Sequence, residues 1–301
     1  MHYHAMIIGG SFAGLSAALQ LARARRNIAV IDAGKPRNRF AAGAHGILGH
    51  DGKAPEAIRH EAIHQLALYP TVTFVEGKAT HAQPCSEGFS ITLASGEILT
   101  GDRIILATGL RDELPPIPGL EERWGKTVLH CPYCHGYEVA DQKLGVIATS
   151  PMSIHQAILL PDWGPTIYFT QGKFDPDPEQ QAFLERRGVT LVHSPVVSLL
   201  GTAPKLEAVR LESGRTMELS ALFVAPKTHL TSPLAEQLGC ILEQGPMGPV
   251  IQVDAFQKTS IPGVFAAGDC AMPMGNVSFA SASGTRAGIS AHQSLIFPKP
   301  T

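Results

Sequence analysis

The sequence has almost no excess of charge. Its 24 Lys and Arg against 26 Asp and Glu leave a net charge of -2, which removes the electrostatic footprint of a nucleic-acid or anionic-membrane binder. It has no uninterrupted apolar run near the ~18 to 20 residues that span a bilayer. Nor do its first residues show a basic stretch followed by a long apolar core, so no secretory leader is expected and a cytoplasmic protein is. Aromatics are sparse, but hydrophobic residues reach 44%, too many for a disordered chain. The five cysteines (Cys85, Cys131, Cys134, Cys240 and Cys270) are an odd number at irregular spacings, which excludes an extracellular disulfide framework. Only Cys131 and Cys134 form a pattern.

At 301 residues the chain is long enough for two domains, and its order suggests how they are arranged. Residues 5–33 read as a strand, a glycine turn, a helix of small residues and a second strand ending in Asp32, the βαβ opening of a nucleotide-binding domain. Short strands follow near residues 72–75, 91–93 and 103–107, with a hairpin turn at Ser95-Gly96. The run Pro115-Pro116-Ile117-Pro118-Gly119 then breaks the pattern and marks a domain boundary. Beyond it the layout begins again. Ala148 lies 139 positions after Gly9, and Ile167 lies 139 after Ile28, which suggests a second βαβ module in ungapped register with the first. A second hairpin is expected around Ser213-Gly214, and a break near residues 225–232 returns the chain to a Gly- and Pro-rich stretch, a strand at 264–266 and a helix over 277–295. The expected fold is α/β: two nucleotide-binding-type, Rossmann-like three-layer domains, the second inserted into the first. The boundaries are 1–114 with 230–301 for the outer domain and 115–229 for the inserted one.

Gly9-Gly10-Ser11-Phe12-Ala13-Gly14 places glycines at the first and third positions of Gly-x-Gly-x-x-Gly, with Ser11 at the middle one. Gly9 suits the tight turn and Gly14 the close helix packing. The helix start offers N–H donors to a pyrophosphate, and Asp32 is placed to accept from ribose hydroxyls. Without a ligand the same residues make a tight strand-to-helix turn. Ala107-Thr108-Gly109 and Gly268-Asp269 each close a strand, and Asp269 alone would read as a helix cap.

In His130-Cys131-Pro132-Tyr133-Cys134-His135-Gly136-Tyr137-Glu138, two thiols separated by two residues are spaced to close a small reversible disulfide. Structural zinc needs four ligands, which here would require the flanking His130 and His135; redox chemistry is favoured and no metal is expected. An inert buried pair is the remaining reading. His135, of a residue type that titrates near neutrality, is a candidate proton acceptor.

Together these motifs resemble those of the two-dinucleotide-domain flavoproteins, and the whole chain resembles the low-molecular-weight thioredoxin reductase family. The Cys131-to-Glu138 stretch looks most like the branch of FAD-dependent dithiol oxidases that close disulfides in natural products of the gliotoxin and holomycin type, where true thioredoxin reductases usually carry Asp in place of His135. The resemblance implies FAD held by Gly9, Ser11, Ala13, Gly14, Asp32, Ala107, Thr108, Gly109, Gly268, Asp269 and Phe279. It implies Cys134 beside the flavin, Cys131 exchanging with substrate, and a homodimer.

The inserted module departs from the nicotinamide-dependent pattern. Its three fingerprint positions are Ala148, Ser150 and Ser153, Gln171 stands at the place matched to Asp32, and only Lys173 remains of a basic cluster. NADPH is therefore doubtful. Near the flavin, Ser278-Phe279 stands where the reductases have Arg-Gln, leaving amides from Phe279 onward as candidate donors. The leading expectation is a thiol–disulfide oxidoreductase that passes electrons between FAD and Cys131/Cys134. It would act as an oxidase of a small dithiol or a thioredoxin-like protein with dioxygen as acceptor, or as a reductase with another donor such as ferredoxin. The alternatives are an NADPH-dependent thioredoxin reductase and a non-catalytic flavoprotein or zinc-bearing module.

Overall fold

A computed structural model describes residues 2–272 and 275–297. The chain folds as two compact units, one made of Met1–Arg39, Gly46–Arg111 and Thr228–Thr301, the other of Phe40–His45 and Asp112–Lys227. The crossings thus fall three and two residues before the expected boundaries, and the six residues Phe40–His45 group with the inserted unit, which the sequence did not suggest. The crossing segments Leu110–Glu113 and Lys227–Leu230 pair as a two-stranded sheet, so part of the expected break is a strand. Pro115 to Gly119 forms neither helix nor strand.

The core of the first unit is a five-stranded parallel sheet in the order Val264–Ala266, Ile104–Leu106, Ala5–Ile8, Ile28–Asp32, Val72–Glu76. The first four read as nearly unbroken apolar runs because both faces are covered, as a parallel sheet requires, and residues 5 to 8 are all buried. One cover is the opening helix Phe12–Arg23, against which the C-terminal helix Val277–Ile296 packs. These two helices approach so closely that a Cβ added at Gly284 would stand 2.0 Å from the Ala13 carbonyl oxygen. Small residues at this crossing let the backbones touch. A second sheet, His2–Tyr3, Ile98–Gly101, Gly88–Leu93 and Ala79–Cys85, contains the expected hairpin turn at Ser95-Gly96 and tolerates Pro84 on its edge strand.

The inserted unit repeats the plan: a five-stranded parallel sheet in the order Val128–Leu129, Ala221–Val224, Leu144–Ile147, Thr166–Phe169, Thr190–Val192, with an antiparallel sheet of three beside it. The repeat is real, but its register is not ungapped. Ala5 pairs with Ile28, 23 positions on, whereas Leu144 pairs with Thr166, only 22 positions on. The hydrogen bonds agree: the Gly9 amide donates to the Ile31 carbonyl and the Ala148 amide to that of Phe169. The counterpart of Asp32 is therefore Thr170, not Gln171, because the second crossover is one residue shorter.

Among the described residues no helix is long and apolar enough to cross a membrane. Gly284→Val should destabilise the first unit by about 3 kcal/mol, since the carbonyl it meets is backbone and cannot move aside. A thermal melt of the variant at the parent's midpoint would show that the two helices separate freely.

Candidate active site

In the first unit the strand Ala5–Ile8 turns at Gly9, whose φ of +116° suits glycine and whose missing Cβ would lie 2.2 Å from the Ala107 carbonyl oxygen. At Gly14 an added Cβ would fall 1.8 Å from the Gly9 oxygen, so the helix sits directly on the turn. Ser11 is the extended N-cap, yet its hydroxyl caps none of the first-turn amides, among them those of Phe12 and Ala13. Those uncapped amides and the positive end of a twelve-residue helix, seated on a turn whose glycines leave no room for a Cβ against the neighbouring backbone, form a cradle whose donors fit a pyrophosphate. Gly10 belongs to the same site although the fingerprint leaves its position open: a Cβ there would lie 2.7 Å from the Asp32 side chain.

Asp32 ends the second strand and accepts from Arg59 Nη1 at 3.0 Å; Arg59 also grips Glu56. Asp269 accepts from Arg37 Nη1 at 2.8 Å, and the amide of Gly268 donates to the Ser283 hydroxyl at 2.9 Å. Neither arginine was legible as a partner, because each lies in a segment whose docking is tertiary. The Thr108 carbonyl, beside Ala107 and Gly109, accepts from the Thr231 hydroxyl at 2.7 Å. The expectation at Phe279 needs correcting. Its amide donates to the Asn276 side chain at 2.7 Å, so the N-cap has taken it from the donors offered to a flavin, while the ring itself is about half exposed.

The dithiol lies in the inserted unit. Cys131 is the N-cap of the four-residue helix Pro132–His135, with Pro132 at its first position, and a 3-10 turn over Tyr137–Val139 follows. This brings the sulfurs to 2.7 Å, the Cys134 thiol donating to Cys131. That hydrogen bond, helped by the backbone N–H groups of Cys134 and Tyr133 and opposed by burial, brings the Cys131 pKa down to about 7. Burial instead pushes the Cys240 and Cys270 thiols up, which leaves them inert. Cys85 stands exposed on an edge strand.

His135 is half-buried and packs edge-on against His45, with ring centroids 5.9 Å apart. Burial holds its pKa below the usual histidine value, against the pull of the Glu138 carboxylate and with the help of His45, so it is neutral and free to accept a proton at neutral pH. His130 turns away: its Nδ1 lies 3.2 Å from the Val224 carbonyl oxygen, and its own carbonyl accepts from Gln156 at 2.6 Å. Among the described residues the thiols and the two flanking histidines do not form a metal-ligand group.

The turn of the inserted unit that corresponds to the cradle is closed by its own side chain. The hydroxyl of Ser153, fully buried, accepts from the amides of Thr149 at 3.0 Å and Ser150 at 3.3 Å. The Thr149 hydroxyl donates in turn to the Ala225 carbonyl. Thr170 supplies no carboxylate for a ribose, and Gln171, at φ +58°, accepts from the Val196 amide through its side chain.

A doubly built α/β chain with one open dinucleotide cradle and a half-buried Cys-x-x-Cys defines the class of disulfide-active oxidoreductases. Residues 3–287 match the model of the pyridine nucleotide-disulphide oxidoreductases, and the chain belongs to that family, an enzyme family of flavoproteins acting on disulfides. It is 33% identical to the thioredoxin reductase sirT of Leptosphaeria maculans, over 95% of this chain and 92% of that one. Among solved structures it is similar to an oxidoreductase from Agrobacterium tumefaciens (49% identity, TM-score 0.95, covering 99% of this chain and 100% of that one). It is also similar to HlmI (37% identity, TM-score 0.91, covering 97% and 92%).

In the reduced protein, alkylation of Cys131 by iodoacetamide should rise with pH and reach half its plateau near pH 7, because only the thiolate reacts. Cys134→Ala, which deletes the donor, should move that midpoint up toward the ~8.5 of an ordinary thiol. An unmoved midpoint would remove Cys134 as the cause.

Proposed function

We propose that the protein is an FAD-dependent dithiol oxidase that works through a Cys131–Cys134 disulfide and is not driven by NADPH. The observation that carries the second half is the occupation of the Thr149 and Ser150 amides by Ser153, since a pyrophosphate would have to displace a buried hydroxyl that already satisfies them. The loss of a carboxylate at Thr170 points the same way.

The Gly9-to-Gly14 turn would hold the FAD pyrophosphate, Asp32 its ribose, and Gly268 with Asp269 its linking chain, the two acids being held in place by Arg59 and Arg37. Ala107, Thr108 and Gly109 complete the FAD set. A bound flavin supplies the two-electron acceptor that reoxidises the reduced pair, passing the electrons to dioxygen to give hydrogen peroxide.

The rest is sulfur and proton chemistry of the chain's own residues. A substrate thiol gives its proton to His135, and the thiolate attacks Cys131 Sγ. The Cys131–Cys134 bond breaks as the substrate–Cys131 bond forms, and Cys134 leaves as thiolate with the electron pair. The second substrate thiol gives its proton to the Cys134 thiolate and attacks the substrate sulfur of the mixed disulfide, which closes the product disulfide and expels Cys131 as thiolate. A thiol with a pKa of about 7 is a good leaving group at neutral pH. Two electrons and two protons have then passed from substrate to enzyme. The substrate class is a small dithiol or a thioredoxin-like protein, presented to a homodimer.

That several relatives are named thioredoxin reductases favours a second reading, an NADPH-dependent thioredoxin reductase. Anaerobic mixing separates the two. A small dithiol should bleach the visible absorption of the oxidised flavin, air should restore it, and excess NADPH should leave it unchanged. Rapid bleaching by NADPH would install the second reading. His135→Ala should slow the bleaching by dithiol about a hundredfold, the usual scale for a lost general base, while Cys131→Ser should abolish it.

A further inference from the structure

The geometry points to a binding site for a zinc-class divalent cation formed by His45, His135 and Glu138 on the inserted unit. One potential ligand atom from each of the three lies within 4.8 Å of the others, and His45 Nε2 stands 3.4 Å from Glu138 Oε1. Zinc bonds to nitrogen and oxygen of about 2.0 to 2.2 Å, arranged tetrahedrally, separate neighbouring ligand atoms by about 3.4 Å. One edge of the site is already at that length. The other two need to close by little more than an ångström, within the reach of a side-chain rotation.

The backbone around the three ligands is held independently of any ion. His135 and Glu138 are three positions apart across the tight turn at Gly136, which places them on one side of it. That turn packs closely: a Cβ at Gly136 would lie 2.6 Å from the Pro132 carbonyl oxygen and 2.9 Å from the Trp163 ring, and Trp163 meets Tyr133 edge-on. His45 arrives on the segment Phe40–His45, whose other end is fixed against Gly125: a Cβ there would meet Phe40 Cβ at 2.7 Å. Two imidazoles and a carboxylate select zinc-class metals over calcium or magnesium, which prefer all-oxygen shells. Three protein ligands leave a fourth position for water, and half-buried His45 and His135 beside exposed Glu138 leave a route for entry. The cysteines are not part of this set, so the site differs from a zinc clasp of the Cys-x-x-Cys.

One consequence rests on the oxidase reading above. A cation on His135 occupies the lone pair that would otherwise accept the substrate proton, so cation binding and thiol oxidation exclude each other. The site itself does not rest on that reading.

The test uses the full-length, flavin-loaded protein with its disulfide closed, so that the thiols cannot compete for metal. After dialysis against zinc chloride, elemental analysis should find one zinc per chain. Competition with a chromogenic chelator should show at least tenfold weaker binding in His45→Ala and in Glu138→Gln, each checked for unchanged flavin content and melting temperature. Cobalt in place of zinc should give the intense visible bands of a four-coordinate site, lost in the same variants. The Cys131→Ser/Cys134→Ser double variant should bind zinc as the parent does. Zinc that follows the cysteines, or that binds His45→Ala as tightly as the parent, overturns the proposal. Where the metal binds as expected, zinc should slow flavin bleaching by dithiol and a chelator should restore it. Stoichiometry is read without turnover, so the metal result stands whether or not the protein oxidises dithiols.

Discussion

The amides of the turn that enters a crossover helix, and of the helix's own first turn, have no partner within the helix, and much else in this chain follows from how each unit treats them. In the first unit the Ser11 side chain leaves the helix-start amides uncapped, and the glycines at 9 and 14 bring turn, helix and the Ala107 strand end into backbone contact. In the inserted unit Ser153, the first residue of the helix, folds its hydroxyl back onto the amides of Thr149 and Ser150 in the turn that leads into it. The two units differ sharply in this. The first leaves its helix-start amides without a side-chain partner; the second engages the amides of its turn with a side chain of its own.

Much of this was legible in the chain itself, because its signals are local. The strand, glycine turn, helix, strand and acid of residues 5–33 lie within one stretch, and parallel strands buried on both faces announce themselves as apolar runs. The insertion was legible from the repeated plan, but the register was not. A helix of seven residues followed by a 3-10 turn shortens the second crossover by one position, and sequence spacing alone cannot place that deletion. It moved the counterpart of Asp32 from Gln171 to Thr170. At the other end, Asn276 was readable as an N-cap from its type and place, and its claim on the Phe279 amide follows from that rule. Arg37, Arg59 and His45 were not readable, since their partners Asp269, Asp32 and Glu138 are respectively 232, 27 and 93 positions away. No periodicity reports such pairings.

The cysteines show how environment alone sorts one side chain into different chemistry. Cys240 and Cys270, enclosed in the first unit, have thiols that burial holds protonated. Cys131 is also partly buried, yet the neighbouring Cys134 thiol and the amides of the following turn face its sulfur, and the charged form wins. A thiol that titrates near ambient pH is close to the optimum for exchange, being ionised in good part and still nucleophilic. Pro132 serves this arrangement by starting a helix without spending an amide, and Gly136 by ending it where Trp163 leaves no room for a side chain.

His135 follows Cys134 directly, and its neighbourhood decides what it can do. Buried beside a second imidazole, it loses its proton more readily than a free histidine; faced by a carboxylate, it is drawn the other way. A base for thiols needs the first influence to prevail, so that the ring is neutral when substrate arrives, and needs the second so that the imidazolium is tolerated once formed. Glu138, placed three residues on by the closely packed turn at Gly136, supplies the second without cancelling the first. The same three groups that poise the ring for a proton are the three that a cation would find. A neutral imidazole backed by another imidazole and a carboxylate is a proton acceptor and a metal ligand for one and the same reason, the lone pair kept free on its nitrogen.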